Sequence, residues 1–360
     1  MASLIFTAGG RNKSSAERTT LSANIGASIT LPTIPNLLPR SAQNQPAAVD
    51  VPDGLYSGSG VAASDASLSP QEVYDGGYSN ATEMYLRIAT GGSGQSGLIK
   101  AWADAFIKYN VENGLAPPFK VGWYLGDTTE SLGLIEAEAV DLAVTYNEAA
   151  EKQSLKSGAS VKRVYGFRDH FMLVGPLENP AALSAENDDV LTMFNKIVAR
   201  GNADVVKPPS DRPPVRFLSR FDKSATNIKD SELFIKIGQV PWGLPYSKWY
   251  HQYTQYPLQA LNAAALLKEY TITDKGTWFS SPADVNAKLT VFKIGSDEQV
   301  DGHDDELLNP AHVMLSKNPG HRDVAERFME WVVSKDGGQK VIREFKKNGE
   351  VLYSEAPDTE

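Results

Sequence analysis

The chain has 360 residues, with 35 Lys and Arg against 44 Asp and Glu for a formal net charge of -9, 41% hydrophobic residues and no cysteine. That length suits two domains or lobes, each with its own core, and the missing cysteine excludes disulfide scaffolds, thiol nucleophiles, thiolate zinc sites and iron-sulfur ligation. The acidic balance argues against a broad nucleic-acid surface, and no run approaches the roughly 18 apolar residues of a membrane-spanning helix.

In chain order, Met1 to Gly10 has too short an apolar core for a signal peptide, and basic residues follow it instead of preceding it. Residues 1–83 read as an N-terminal extension in which Ser, Ala, Pro and Gly dominate; no Lys or Arg occurs from Ser41 through Leu86. Short strands are expected around Ala27 to Pro32 and disorder from Pro39 to Pro70, with wrapping around the folded body as the alternative. Asn12-Lys13-Ser14 and Asn80-Ala81-Thr82 match the glycosylation sequon, as chance would allow in a Ser/Thr-rich region.

From Met84 the pattern becomes that of an α/β protein with a mostly parallel sheet. Met84 to Thr90 alternates like a strand, a Gly-rich turn follows, and Leu98, Ile99, Trp102, Phe106 and Tyr109 fall on one helical face. Strands are predicted at Phe119–Tyr124, Val140–Thr145, Phe171–Pro176, Val215–Leu218 and Val313–Leu315, and helices at Thr128–Ala137, Asp188–Ala199, Leu258–Glu269, Asp323–Val333 and Gln339–Phe345. Val205 to Pro214 reads as a Pro-rich loop.

Gly92-Ser93-Gly94-Gln95-Ser96-Gly97 fits G-x-G-x-x-G between a strand and a helix, where glycines let the backbone approach an anion and free N–H groups face it. No acidic residue ends the next strand about 20 residues on, where a ribose would need one. Arg220 follows a strand beside Ser219, Ser224 and Thr226, a rigid guanidinium fork with rotatable hydroxyl donors, although an Arg220 to Asp222 surface turn fits the same residues. No serine sits in a G-x-S-x-G elbow, and the five histidines show no metal-ligand spacing. His303, among Asp301, Asp304 and Asp305, reads as a solvated loop, and His170 beside Asp169 as a structural hydrogen bond. The aromatic stretch from Trp242 to Tyr256 reads as packing, with sugar stacking as the alternative.

Several segments in collinear order resemble the tungstate-type solute-binding proteins of ABC transport, with a likeness to fungal extracellular members. Ile88 to Ser93 with Ser96-Gly97-Leu98 is similar to the family's Thr/Ser-rich oxyanion loop, in which Gly91 and Gly92 replace two hydroxyl-bearing residues. Arg168 to Pro176 is similar to the approach to its first hinge. Ser219-Arg220-Phe221-Asp222-Lys223-Ser224-Ala225-Thr226 resembles its Ser-Arg-Gly-Asp-x-Ser-Gly-Thr loop, with Phe221 and Ala225 in place of glycines, and Tyr270 to Thr277 resembles its Tyr-Thr-x-Thr-Asp-Arg-Gly-Thr segment.

The resemblance implies a two-lobe type 2 periplasmic binding protein fold with a hinge: lobe one from 84–168 with 309–353, and lobe two from 169–308. It implies a non-catalytic protein without cofactor or metal that closes on a tetrahedral oxyanion of the tungstate or molybdate class. The expected ligand residues are Thr90, Gly91, Gly92 and Ser93 from one lobe and Ser219, Arg220, Ser224 and Thr226 from the other. It also implies an extracellular, secreted monomer that serves a membrane permease, binds no nucleic acid and inserts in no membrane, with a cytoplasmic location as the alternative. A nucleotide-binding enzyme using Gly92, Gly94 and Gly97, and a surface protein with a degenerate site, are the competing functions.

Overall fold

The computed structural model describes residues 69–243, 247–299 and 302–358. The strands expected around Ala27 to Pro32, nearly all of the Pro39 to Pro70 stretch, and the residues Tyr246 and Asp301 lie outside them. The first half runs β1 (Glu72–Tyr74), β2 (Met84–Thr90), the single turn α1 (Gly92–Gln95), α2 (Leu98–Glu112), β3 (Lys120–Leu125), α3 (Thr128–Glu136), β4 (Leu142–Thr145), α4 (Glu148–Ser157) and the long strand β5 (Ser160–Pro176). Then come α5 (Val190–Val206), β6 (Phe217–Ser219), α6 (Ala225–Lys236), β7 (Tyr250–Gln252), α7 (Pro257–Leu267), β8 (Tyr270–Asp274), α8 (Lys275–Ser280), α9 (Ala283–Asn286) and β9 (Leu289–Ile294). The chain closes with β10 (Leu308–Ser316), α10 (Arg322–Val333), α11 (Gly338–Glu344), β11 (Lys346–Lys347), β12 (Glu350–Val351) and β13 (Ser354–Glu355).

Local chemistry sets many of these boundaries. Helix α2 buries Leu98, Ile99, Trp102, Ala103, Phe106 and Ile107, the i, i+3, i+4 stripe of an amphipathic helix. Asp127 and Glu130 form a reciprocal capping box at the start of α3, Asp189 caps α5, and Pro257 opens α7 where its missing N–H costs nothing. Helix α5 runs past Ala199 to Val206, into the predicted loop, because buried Asp204 on its last turn is paired with Arg212 at 2.7 Å and accepts from the Val215 amide at 2.7 Å.

The main sheet is mixed, which corrects the expectation of a mostly parallel one. Its order is β1-β3-β2-β4-β10-β5-β8-β6-β7, with β9 and β13 also pairing with β5. Strands β2, β3 and β4 are mutually parallel, as are β6, β7 and β8, but β10 and β5 run antiparallel to their neighbours. Strand β1, absent from the sequence reading, adds to the β3 edge and brings Tyr74 into the core.

Two large apolar clusters lie along this sheet. One gathers Leu86, Ile88, Trp102, Phe106, Phe167, Val313 and Phe328; the other gathers Phe171, Leu173, Phe194, Phe217, Phe234, Tyr250 and Tyr270. Strands β5 and β10 pass between them as an antiparallel pair, with Asp169 opposite Asn309 at the crossing and the Asn309 Nδ2 donating to Asp169 Oδ2 at 3.2 Å. Both connections between the two clusters run through this crossing.

Candidate functional site

The C-terminal ends of β2, β3 and β4 in one half, and of β6 and β8 in the other, deliver the polar turns, the end of a parallel sheet where ligands bind. Strand β2 ends in Thr90, whose Oγ1 lies 2.8 Å from Ser93 Oγ, both buried. The Thr90 carbonyl accepts from Trp123 Nε1 at 2.8 Å and from the Gly126 amide at 3.3 Å. Gly91 is closely packed, since a Cβ there would sit 3.0 Å from the Gly126 carbonyl oxygen, whereas Gly92 faces open space with only Tyr146 Oη at 3.9 Å. The Ser93 amide donates to that same Tyr146 oxygen at 3.1 Å, and burial pushes the Tyr146 phenol above its ordinary range.

The remaining glycines of the G-x-G-x-x-G run serve the fold. A Cβ on Gly94 would fall 2.0 Å from Trp123 Cε2, and Gly97 holds a left-handed φ of 95° between α1 and α2. In a dinucleotide site the middle glycine leaves room for pyrophosphate; here an indole ring occupies that room.

On the other side, β6 delivers Ser219 to the turn. Its hydroxyl donates to Asp230 Oδ2 at 2.8 Å and accepts from the Phe221 amide at 3.2 Å and from Asn227 Nδ2 at 3.1 Å. One hydrogen and two lone pairs are thereby used. Burial pushes the Asp230 carboxyl up to about 8. Arg220 donates from Nε to the Gln255 carbonyl at 3.1 Å and pairs through Nη2 with Asp222 Oδ2 at 2.6 Å. Its Nη1 has no hydrogen-bond partner among the described residues. The other Asp222 oxygen accepts from the Ser224 amide at 2.9 Å and its hydroxyl at 2.5 Å, and Ser224 Oγ in turn accepts from the Asn227 amide as the N-cap of α6. Thr226, in the first turn of α6, and Arg220 line a small cavity with Thr271, Thr273 and Asp274.

The β3–α3 turn touches both groups. Gly126 packs on Thr90 and Gly91, while Thr129 Oγ1 donates to the Lys223 carbonyl at 3.2 Å. Burial, with the neighbouring Glu130 and Asp222 charges adding, pushes the Asp127 carboxyl up to about 6. The Thr128 hydroxyl, buried beside it at the start of α3, has no hydrogen-bond partner among the described residues. Below, Tyr353 Oη donates to Ser96 Oγ at 2.9 Å, and burial together with nearby Asp274 raises the Asp169 carboxyl well above its usual range.

Of the predicted residues, then, Thr90 and Ser93 are bonded to each other, Ser219, Arg220 and Ser224 share one hydrogen-bonded loop, and Thr226 faces the same cavity as Arg220. Sequence reasoning offered Asp222 only as the partner of Arg220 in a turn, a pair the structure forms at 2.6 Å, and gave no role at the site to Gln255, Tyr146, Asp127 or Thr128. Asp222 stood in the quoted loop, but the other four become neighbours of the site only through the sheet. His170 Nε2 lies 2.8 Å from Asp297 Oδ1, and no group of three His, Cys, Asp or Glu able to hold a metal occurs among the described residues. Trp249 and Tyr250 are buried, with Trp242 packed on Tyr250 and Phe234, so these three aromatics serve the core.

Comparison with known proteins gives a consistent result. The profile of the PBP superfamily domain matches residues 62–336. The tungstate-binding protein TupA of Peptoclostridium acidaminophilum is 26% identical over 226 residues, 61% of this chain and 69% of that protein. Among solved structures, a periplasmic protein described as a candidate metal binder is 49% identical, with a TM-score of 0.72 over 80% of this chain and 99% of its own. The tungstate-binding protein TupA of Desulfovibrio alaskensis is 26% identical, with a TM-score of 0.60 over 77% of this chain and 100% of its own. The two relatives with a named source are bacterial, and the expected likeness to fungal members finds no support in them.

Proposed function

The chain belongs to the PBP superfamily, and from that premise we propose that it binds a small tetrahedral oxyanion of the tungstate or molybdate class in the cleft between its two lobes. It acts by binding, not catalysis. The lobes in this proposal are 84–168 with 309–353 and 169–308, preceded by the extension 1–83. The observation that carries it is Arg220: two contacts fix one edge of its guanidinium while Nη1 is left without a hydrogen-bond partner among the described residues, in a loop that meets the β3–α3 turn beside Thr90 and Ser93. A fixed fork with spare donors is what an oxyanion requires.

The Thr90 and Ser93 hydroxyls, the Gly91 and Gly92 amides and Thr226 complete the donor set, and the orphan hydroxyl of Thr128 supplies one that the two glycines lack. Ser219 and Ser224, their hydroxyl hydrogens directed to Asp230 and Asp222, shape the loop. The relatives named tungstate-binding support the ligand class, and tungstate, an oxyanion of a metal, also fits the relative described as a candidate metal binder. We place the protein in the periplasm or outside the cell, as a monomer delivering its anion to a membrane permease; no helix among the described residues is long and apolar enough to cross a membrane.

The test is a calorimetric and thermal-shift screen of tungstate, molybdate, sulfate, phosphate and small carboxylates against the full chain. Tungstate or molybdate should bind and raise Tm. Failure of every oxyanion, or stabilisation by NAD or a flavin instead, refutes the proposal.

A further inference from the structure

The turn that carries Arg220 contains a second, internal anion. Asp222 lies two residues on, and the chain returns it to the guanidinium because Phe221 between them adopts a left-handed φ of 45°. That conformation is natural for glycine and strained for a bulky side chain, and strain of this kind is retained where the surroundings fix it, often at functional sites. The surroundings here are a second segment: Thr254 Oγ1 donates to the Phe221 carbonyl at 3.4 Å, and the Gln255 carbonyl takes Arg220 Nε. Asp222 divides its oxygens, Oδ2 toward Arg220 and Oδ1 toward the Ser224 amide and hydroxyl, and Ser224 is bonded through Asn227 N to the first turn of α6.

Resting on the oxyanion reading above, we propose that Asp222 and Ser224 are positioning residues. They form a relay from the N-terminus of α6 through the Asp222 carboxylate to Arg220, and the relay holds the guanidinium with Nη1 turned to the anion. The Asp222 charge leaves Nη1 unengaged, because the ion pair is made through Nη2 and the Gln255 contact through Nε. Ser224, expected from sequence to donate to the ligand, donates to Asp222 in this structure.

The experiment is calorimetry with sodium tungstate on the full chain, for the parent, Asp222→Ala, Asp222→Asn, Arg220→Ala and the double variant Arg220→Ala/Asp222→Ala, each with a thermal melt. The relay predicts Asp222→Ala weaker than the parent by about tenfold, Asp222→Asn between the two, and less than about a twofold further change when Asp222→Ala is added to Arg220→Ala. If Asp222→Ala does not fold, Asp222→Asn takes its place, with a loss of about threefold expected and none of it in the Arg220→Ala background. Parental affinity in the Asp222 variant overturns the relay. Tighter binding shows the carboxylate to be a competitor and also overturns it. An equal loss with and without Arg220 reduces Asp222 to a structural role, which overturns it while the oxyanion reading stands. A folded parent that binds no tungstate removes both.

Discussion

Gly94→Ala separates a glycine kept for packing from one kept for a ligand. The added Cβ would lie 2.0, 2.2 and 2.4 Å from Trp123 Cε2, Nε1 and Cζ2, so the indole must move by more than an ångström. Overpacking of this kind costs about 1 to 3 kcal/mol, and losing the Trp123 Nε1 bond to the Thr90 carbonyl adds about 0.5 to 1.5 kcal/mol. Alanine returns about 0.5 to 1 kcal/mol through its better helix propensity. The net loss lies between about 0.5 and 4 kcal/mol with a centre near 2 kcal/mol, a fall in Tm of roughly 4 to 8 °C at that centre for a domain of this size. Circular dichroism melts measure it, and tryptophan emission reports the displaced ring. Tungstate affinity should fall as well, because the Thr90 carbonyl loses its anchor beside the site. The loss should shrink when Trp123→Leu makes room, as a double-mutant cycle would show. A Gly94→Ala protein that melts within about 1 °C of the parent, or an undiminished loss beside Trp123→Leu, would refute the packing argument.

Arg220→Ala should weaken tungstate binding at least about tenfold, since charge-assisted bonds to an enclosed anion are worth about 1.5 to 3 kcal/mol each; Arg220→Lys should not fully restore it, and unchanged calorimetric affinity would remove Arg220 from the site. Thr90→Val, Ser93→Ala and Thr128→Val should each cost about 1 to 3 kcal/mol of binding, with ligand-induced thermal stabilisation falling in step; parental affinity in all three would rule out hydroxyl recognition. Asp127 has its carboxyl raised from 3.8 to about 6, so the folded state holds a proton that the unfolded state has lost, and stability falls as pH rises between those values. Asp127→Asn, which can still cap α3, should therefore raise Tm near pH 7.5 and lose that advantage by about pH 4; an equal gain at both, or none, would contradict the buried-carboxyl account.

The sequence carried the elements whose buried faces are apolar. Strand β2 and helix α2 were legible because alternation and the 3.6 period put Leu86, Ile88, Trp102 and Phe106 inward. Helix α4 was not, because the residues it buries are Glu151 and Ser154; Glu151 is accommodated by Arg163 at 2.9 Å and by the Thr145 hydroxyl at 2.9 Å. For the same reason only the last six residues of β5 read as strand, since Lys162, Arg163, Arg168 and Asp169 look exposed until β10 pairs with them. At the site, residue type pointed to Arg220 and Thr90. Tyr146 is bonded to an amide 53 positions away and Gln255 to a side chain 35 positions away, distances over which local pattern says nothing.

The crossing of β5 and β10 also dictates an order of assembly. The cluster holding Trp102 and Phe106 needs Ala311 and Val313 from β10, whereas the cluster holding Phe194 and Tyr250 draws only on residues between Phe171 and Leu307. As the chain leaves the ribosome, every residue of the internal cluster is therefore available before β10 exists, while β4 and the first part of β5 present unpaired edges where β10 will later lie. Open edges of this kind are templates for unwanted pairing. A nascent or truncated chain ending before Leu308 is expected to carry a finished middle and an adhesive beginning, until the late insertion of one nine-residue strand closes the sheet and joins the two clusters.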